Sequence, residues 1–447
     1  MSANAPIDPT LLALRRGDLA GARALRLTGP LDAFPDEVFG LVETLERLDL
    51  SGCGLTALPD GFGRLRRLKV LFCSGNRFDR LPPVLGDCPE LAQIGFRGTG
   101  LREVPGEALP MRLRWLTLTD NRITHLPDAL GARPQLQKLM LAGNALDALP
   151  ATLEGAPNLE LLRLSANAFA TLPAWLAHLP RLAWIAWAGN PAEGGTVQAR
   201  VPDVPWSRLD PGALLGEGAS GRIVAATWRA GEGEPARPVA VKLFKGAMTS
   251  DGLPEREMAA CLAAGQHPNL TGALGQVVDH PDGAQGLLMP LLPADWRVLA
   301  GPPSLKSCSR DVYDPALRLP PPAALRIARS VARGAAHLHA RGLLHGDLYA
   351  HNTIWDGTAG TAVLSDFGAA SLLPPGPAGA AWQRIETRAW GLLLGELLDC
   401  CTSDPETLAE LRDLERACIQ ADVGARPLMA EVVQALSAHI GEACPDE

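Results

Sequence analysis

Between Leu45 and Asn190 the apolar positions follow one fixed order: apolar, two free positions, apolar, one free position, apolar, two free positions, then in most copies Asn. Copies begin at Leu45, Leu68, Leu91, Leu113, Leu136, Leu159 and Leu182, a spacing of 22 or 23 residues. A repeat of that length predicts a stack of small units, each burying its apolar face on the next. Alternating apolar residues such as Leu116 and Leu118 predict a short strand with inward side chains at every second position. The amides of Asn121, Asn144, Asn167 and Asn190 would follow those strands and bond the backbone of neighbouring turns. Cys53 and Thr99 interrupt that ladder, so weaker turns are expected there. An apolar-Pro pair closes each of the first six units, at Leu58-Pro59, Leu81-Pro82, Val104-Pro105, Leu126-Pro127, Leu149-Pro150 and Leu172-Pro173.

Across roughly residues 20 to 195 this pattern resembles the leucine-rich repeat family. A degenerate first unit is visible in Ala22, Leu25, Leu27 and Phe34-Pro35, and Asp8-Pro9-Thr10 before Leu11, Leu12 and Leu14 reads as a capping helix. The domains expected are an N-terminal helical cap over 1–21, a repeat solenoid over 22–195, a Pro/Gly-rich linker over 196–205 and a second domain over 206–442. The free strand positions would line the concave face, where Phe72, Trp115, Arg163 and Trp184, with Lys138 among them, include the aromatic and Arg types that anchor protein interfaces. A protein partner or substrate is expected there.

Composition changes this picture little. The net charge of −8 and pI near 5.7 give no support for a nucleic-acid surface. Nine cysteines without CxxC spacing read as reduced thiols. No signal-like start and no apolar run of about 18 residues is present, so no membrane span is expected and a cytoplasmic location is the simplest reading.

The chemistry lies after Trp206. Leu214-Leu215-Gly216-Glu217-Gly218-Ala219-Ser220-Gly221 places three glycines between two strand-like runs, and glycine lets backbone approach a phosphate. That pattern alone is weak, but the next strand ends in Val239-Ala240-Val241-Lys242. Glu257 follows in a helical stretch, then His345-Gly346-Asp347 with Asn352, then Asp366-Phe367-Gly368. From 206 to 440 the chain resembles the protein kinases, in a bacterial-type arrangement of leucine-rich repeats fused to a short kinase domain. The resemblance implies an α/β leucine-rich repeat solenoid followed by an α+β bilobal kinase domain. It implies that Lys242, oriented by Glu257, holds the nucleotide phosphates; that Asn352 and Asp366 bind Mg²⁺; and that Asp347 accepts the substrate hydroxyl proton. It places ATP against Gly216, Gly218, Gly221, Leu215, Val224 and Ala240, with Met289 at the back of the adenine pocket and Pro290 and Leu292 in the hinge.

The sequence departs from the family in four places. Gly346 stands where many kinases have Arg, which argues against control by loop phosphorylation. Tyr349 and His351 stand where kinases place Lys two after, or Arg four after, the catalytic Asp. The stretch after Asp366-Phe367-Gly368 holds no Ala-Pro-Glu, so Arg426 lacks its usual Glu partner; Glu386, in a place resembling the Asp of the next long helix, is one candidate. Pro293 to Pro322, with Ser304, Ser307 and Ser309, forms a long insert that could be a lid, a docking loop, a phosphorylation target or a surface loop. The reading this supports is a protein kinase acting on Ser or Thr of a repeat-docked protein. A nucleotide-binding pseudokinase scaffold and a small-molecule phosphotransferase remain open alternatives.

Overall fold

The computed structural model describes residues 8–193, 201–218, 220–231, 233–245, 248–249, 251–402 and 405–443. They form two compact units: Met1–Leu179 with Asn190–Ala192, and Pro180–Gly189 with Glu193–Glu447. The second therefore takes in the strand of the seventh repeat.

In the first unit, α1 (Pro9–Arg15) starts from an Asp8 cap whose carboxylate accepts from Thr10 N at 2.8 Å, as expected for the cap. Seven three-residue strands follow: β1 (Ala24–Arg26), β2 (Arg47–Asp49), β3 (Val70–Phe72), β4 (Gln93–Gly95), β5 (Trp115–Thr117), β6 (Lys138–Met140) and β7 (Leu161–Arg163). They pair in parallel and in register, so Leu25, Leu48, Leu71, Ile94, Leu116, Leu139 and Leu162 form one buried row. Each closing Pro precedes a 3₁₀ turn, beginning at Asp60 after Pro59 and at Ala151 after Pro150. Proline's fixed φ holds the entry to such a turn without needing an N–H.

The amide ladder forms. Asn167 Nδ2 donates to Leu141 O at 3.0 Å and Leu164 O at 2.9 Å, while its Oδ1 accepts from Leu146 N at 3.1 Å. Asn76, Asn121 and Asn144 repeat this pattern. At the two interruptions part of the job survives: Cys53 Sγ donates to Leu27 O at 3.4 Å, and Thr99 Oγ1 donates to Phe96 O at 3.2 Å.

In the second unit, β8 (Trp184–Ala186) precedes β9 (Asp203–Pro205). Residues 203–205, expected in the linker, pair in parallel with residues 276–278 of the second unit instead; residues 196–200 of that linker lie outside the described residues. The sheet runs β10 (Leu209–Glu217), β11 (Gly221–Trp228), β12 (Arg237–Phe244), β14 (Gly286–Pro290), β13 (Gly275–Val278), β9, with α2 (Pro254–Ala264) between β12 and β13 in sequence. Below it lie β15 (Arg297–Val298), α3 (Pro321–Ala340), β16 (Leu343–Leu344), β17 (Thr353–Trp355), β18 (Ala362–Leu364), β19 (Ser371–Leu372), α4 (Pro377–Asp399), α5 (Ala409–Ile419) and α6 (Met429–Ala443). On α3 the buried stripe Ala324, Ile327, Ala328, Val331, Ala335 and Leu338 has helical spacing, and Trp390 of α4 donates its indole N–H to Ala328 O at 2.9 Å. The insert 293–322 is packed into this lobe: β15 pairs with β17, Gly301 bridges Val312, and Cys308 and Ser309 are fully buried.

Candidate active site

The candidate nucleotide site is a cleft of about 590 Å³, walled by the glycine-bearing turn above, β14 behind and the β17–β18 region below. Leu215, Gly216, Gly218, Gly221, Ala240, Lys242, Glu257, Met289, Pro290, Leu292, Asn352 and Asp366 all line it. Val224 does not. Strand side chains alternate faces, and in β11 it is Ile223, opposite Lys242, that enters the cleft, while Val224 packs with Val239 and Val241 on the sheet's other side. The sequence reading was off by one residue, which in a strand inverts the side chain.

The three glycines differ in what constrains them. A Cβ on Gly221 would lie 2.4 Å from Leu243 O, so packing against β12 alone demands glycine there. A Cβ on Gly216 or Gly218 would meet nothing within 4 Å, leaving their backbone open to a phosphate-bearing ligand.

Lys242 and Glu257 form a buried ion pair, with side chains 11% and 3% exposed. Burial alone would lower the Lys242 pKa, but the carboxylates of Glu257 and Asp366 outweigh it and hold the ammonium above its ordinary value. Asp366 adopts φ +62°, a left-handed conformation that Asp tolerates better than most residues and that collects at functional sites. Its Oδ1 accepts from Gly368 N at 3.1 Å, and Phe367 behind it is anchored in the apolar core. Asn352 spends its Nδ2 on Asp347, donating to Oδ2 at 2.8 Å and to the backbone O at 2.9 Å. That leaves the Asn352 carbonyl oxygen and the second Asp366 oxygen as hard donors, a set that fits Mg²⁺.

The backbone around Asp347 is held from several sides. His345 accepts from Asp347 N through Nδ1 at 3.3 Å, so its Nε2 carries the proton given to Ser365 O at 3.1 Å. Glu386, fully buried on α4, accepts from Gly346 N at 2.7 Å through Oε1 and bonds His339 at 2.7 Å through Oε2. Burial would raise its pKa, yet the His339 bond outweighs this and the carboxyl lies below its usual range. Glu386 is thus occupied with the loop. Arg426 donates elsewhere, to Gln420 O at 2.9 Å, Arg384 O at 3.3 Å and Pro180 O at 2.6 Å. Burial, with Arg388 nearby, pushes Arg426 down to about 10.

Two groups near the loop were not expected there: Asp311 was not singled out in the sequence, and Trp184 was placed on the repeat face. Asp311, from the insert, accepts from His351 N at 2.9 Å and meets His351 Nδ1 at 2.7 Å. Burial would lower the His351 pKa, but the Asp311 bond and nearby carboxylates raise it. The second is Trp184. Expected on an open face, it is 2% exposed and stacks on Tyr349, with centroids 4.2 Å apart and planes at 5°. Of the other residues expected on that face, Phe72, Trp115 and Lys138 are half-buried and Arg163 is 1% exposed. Neither surprise had a sequence signal, because each depends on residues distant along the chain.

The chain carries leucine-rich repeats followed by a protein kinase domain: residues 209–376 match the protein tyrosine and serine/threonine kinase family, and residues 44–65 and 111–169 match leucine-rich repeat families. Among its relatives, the serine/threonine-protein kinase PkaB of Streptomyces coelicolor is 33% identical over 178 residues, which cover 37% of this chain and 38% of that protein. No helix among the described residues is long and apolar enough to cross a membrane.

Proposed function

We propose that the protein transfers the γ-phosphoryl group of ATP to a Ser or Thr hydroxyl of a protein recruited by its repeats. The observation that carries this is the convergence on one cleft of the Lys242–Glu257 pair, Asp366 and Asn352, which in turn bonds the Asp347 carboxylate. In this reading Lys242 holds the α and β phosphates, and the open backbone at Gly216 and Gly218 covers them. Asn352 and Asp366 hold Mg²⁺, which when bound offsets the negative charge of the phosphates. Asn352 fixes the Asp347 carboxylate, which takes the proton of the acceptor hydroxyl as that oxygen bonds to phosphorus and ADP leaves. Tethering at the repeats raises the local acceptor concentration, to the millimolar range for a short flexible link, which would offset the short stretch without Ala-Pro-Glu after Gly368.

Purified protein with Mg²⁺ and γ-labelled ATP tests this. Asp347→Asn should lower the transfer rate by about 100-fold or more, and Lys242→Met should do likewise while also weakening nucleotide binding. A wild type that transfers no label, yet melts higher with nucleotide, would establish the scaffold alternative. Label on small metabolites and not on protein would establish the small-molecule phosphotransferase.

A further inference from the structure

The kinase domain lacks the segment that usually follows Asp-Phe-Gly, for only eight residues separate Gly368 from Pro377 at the start of α4. Residues Pro180–Gly189 of the same compact unit make contacts that such a segment would otherwise supply. Trp184 Nε1 donates to Leu348 O, next to the proposed base, at 2.9 Å. Its ring stacks on Tyr349, whose ring lies 4.8 Å from that of His351, and the Arg310 guanidinium lies 5.0 Å from the Trp184 ring centroid. Ile185 O approaches Gly346 so closely that a Cβ there would lie 2.5 Å away, at a residue with φ +75°. Trp187 N donates to Ser371 Oγ at 2.9 Å, and Arg388 Nε to Arg181 O at 3.1 Å. Arg426, deprived of the missing Glu, donates to Pro180 O.

We infer that this repeat turn is a fixed, built-in replacement for the activation segment, with Trp184 a positioning residue that holds the Asp347 loop ready. The inference rests on the kinase reading for its catalytic consequence. It explains three departures together: glycine at 346 because a carbonyl packs there, Tyr349 because it receives an indole, and an Arg426 bonded to backbone. No phosphorylated loop is needed, since the support is part of the fold.

Full-length Trp184→Ala and Trp184→Phe test it, each assayed for transfer to a general protein substrate, for KM of ATP, and for amide exchange over residues 347–352. Trp184→Ala loses hydrogen bond and stack, so kcat should fall about thirtyfold, with KM for ATP changed less than about twofold. Trp184→Phe keeps the stack and loses the donor, so a drop of about fivefold is expected. Exchange at 347–352 should accelerate in the same order. Unchanged or raised kcat in folded Trp184→Ala would overturn the inference, the rise pointing to an inhibitory plug instead. If the Ala variant does not fold, Trp184→Phe decides alone: wild-type kcat and exchange overturn it. The exchange readout needs no transferase activity, so failure of the kinase reading and failure of this inference remain distinguishable.

Discussion

Trp115 and Trp184 occupy the same place in the repeat, two residues after the Leu that opens each copy, yet they end in opposite circumstances. Trp115 stays half-buried among its own repeats, its indole donating to Thr117 Oγ1 at 2.8 Å with the Lys138 ammonium 4.2 Å from the ring centroid. Trp184 is buried on a loop 164 residues away in sequence. A periodic template sets where a side chain starts and which way it leaves the strand. What it meets is decided by partners outside the period, so equal positions in a repeat need not carry equal jobs.

The sharpest way to break that contrast is to restore the family's arginine at 346. Gly346→Arg must place a Cβ against both Ile185 O and Ala369 O, at a positive φ that disfavours it. The expected loss is about 4 kcal/mol in urea unfolding of the kinase unit, or failure to fold; a stable variant would mean that the Pro180–Gly189 turn is not held as described. On the repeat side, Asn167→Ala strands Leu141 O, Leu164 O and Leu146 N. It should cost about 3 kcal/mol and leave kcat unaltered, because its bonds stay inside the ladder. The smallest effect is expected at Trp115→Ala. Removing a half-buried cation–π pair should cost about 1 kcal/mol and leave transfer to a general substrate at the wild-type rate, while weakening phosphorylation of a protein recruited through the repeats. A fall in general kcat comparable to that of Trp184→Ala would erase the distinction between the two tryptophans.

The repeats were legible because their rules are local: the row Leu48, Leu71, Ile94 and Leu116 and the Asn turns follow from spacing alone. Even the interruptions obeyed the template, since Cys53 and Thr99 each keep one bond of the missing amide. In the kinase half the motifs located the cleft, because Lys242, Glu257, Asp347, Asn352 and Asp366 come in a fixed order. Three features escaped. Val224 was one step out of phase, which spacing within a glycine-rich stretch cannot fix without its β12 partner. Asp203–Pro205 looked like linker because a Pro-bearing edge strand carries little apolar alternation. The insert was open between a lid, a docking loop, a phosphorylation target and a surface loop, since nothing in its Pro-rich sequence says that Asp311 reaches His351 or that Ser309 is sealed in while Ser304 is exposed.

The unequal glycines of the nucleotide turn bear on how this chain could drift over evolutionary time. At Gly221 any larger residue would have to displace the backbone at Leu243 O, so a change there carries a folding cost. Gly216 and Gly218 face empty space, so a lineage that no longer handled nucleotides could lose both without a folding penalty. If the proposed nucleotide reading holds, these are the two positions of the triplet at which affinity can be tuned while the fold is left alone.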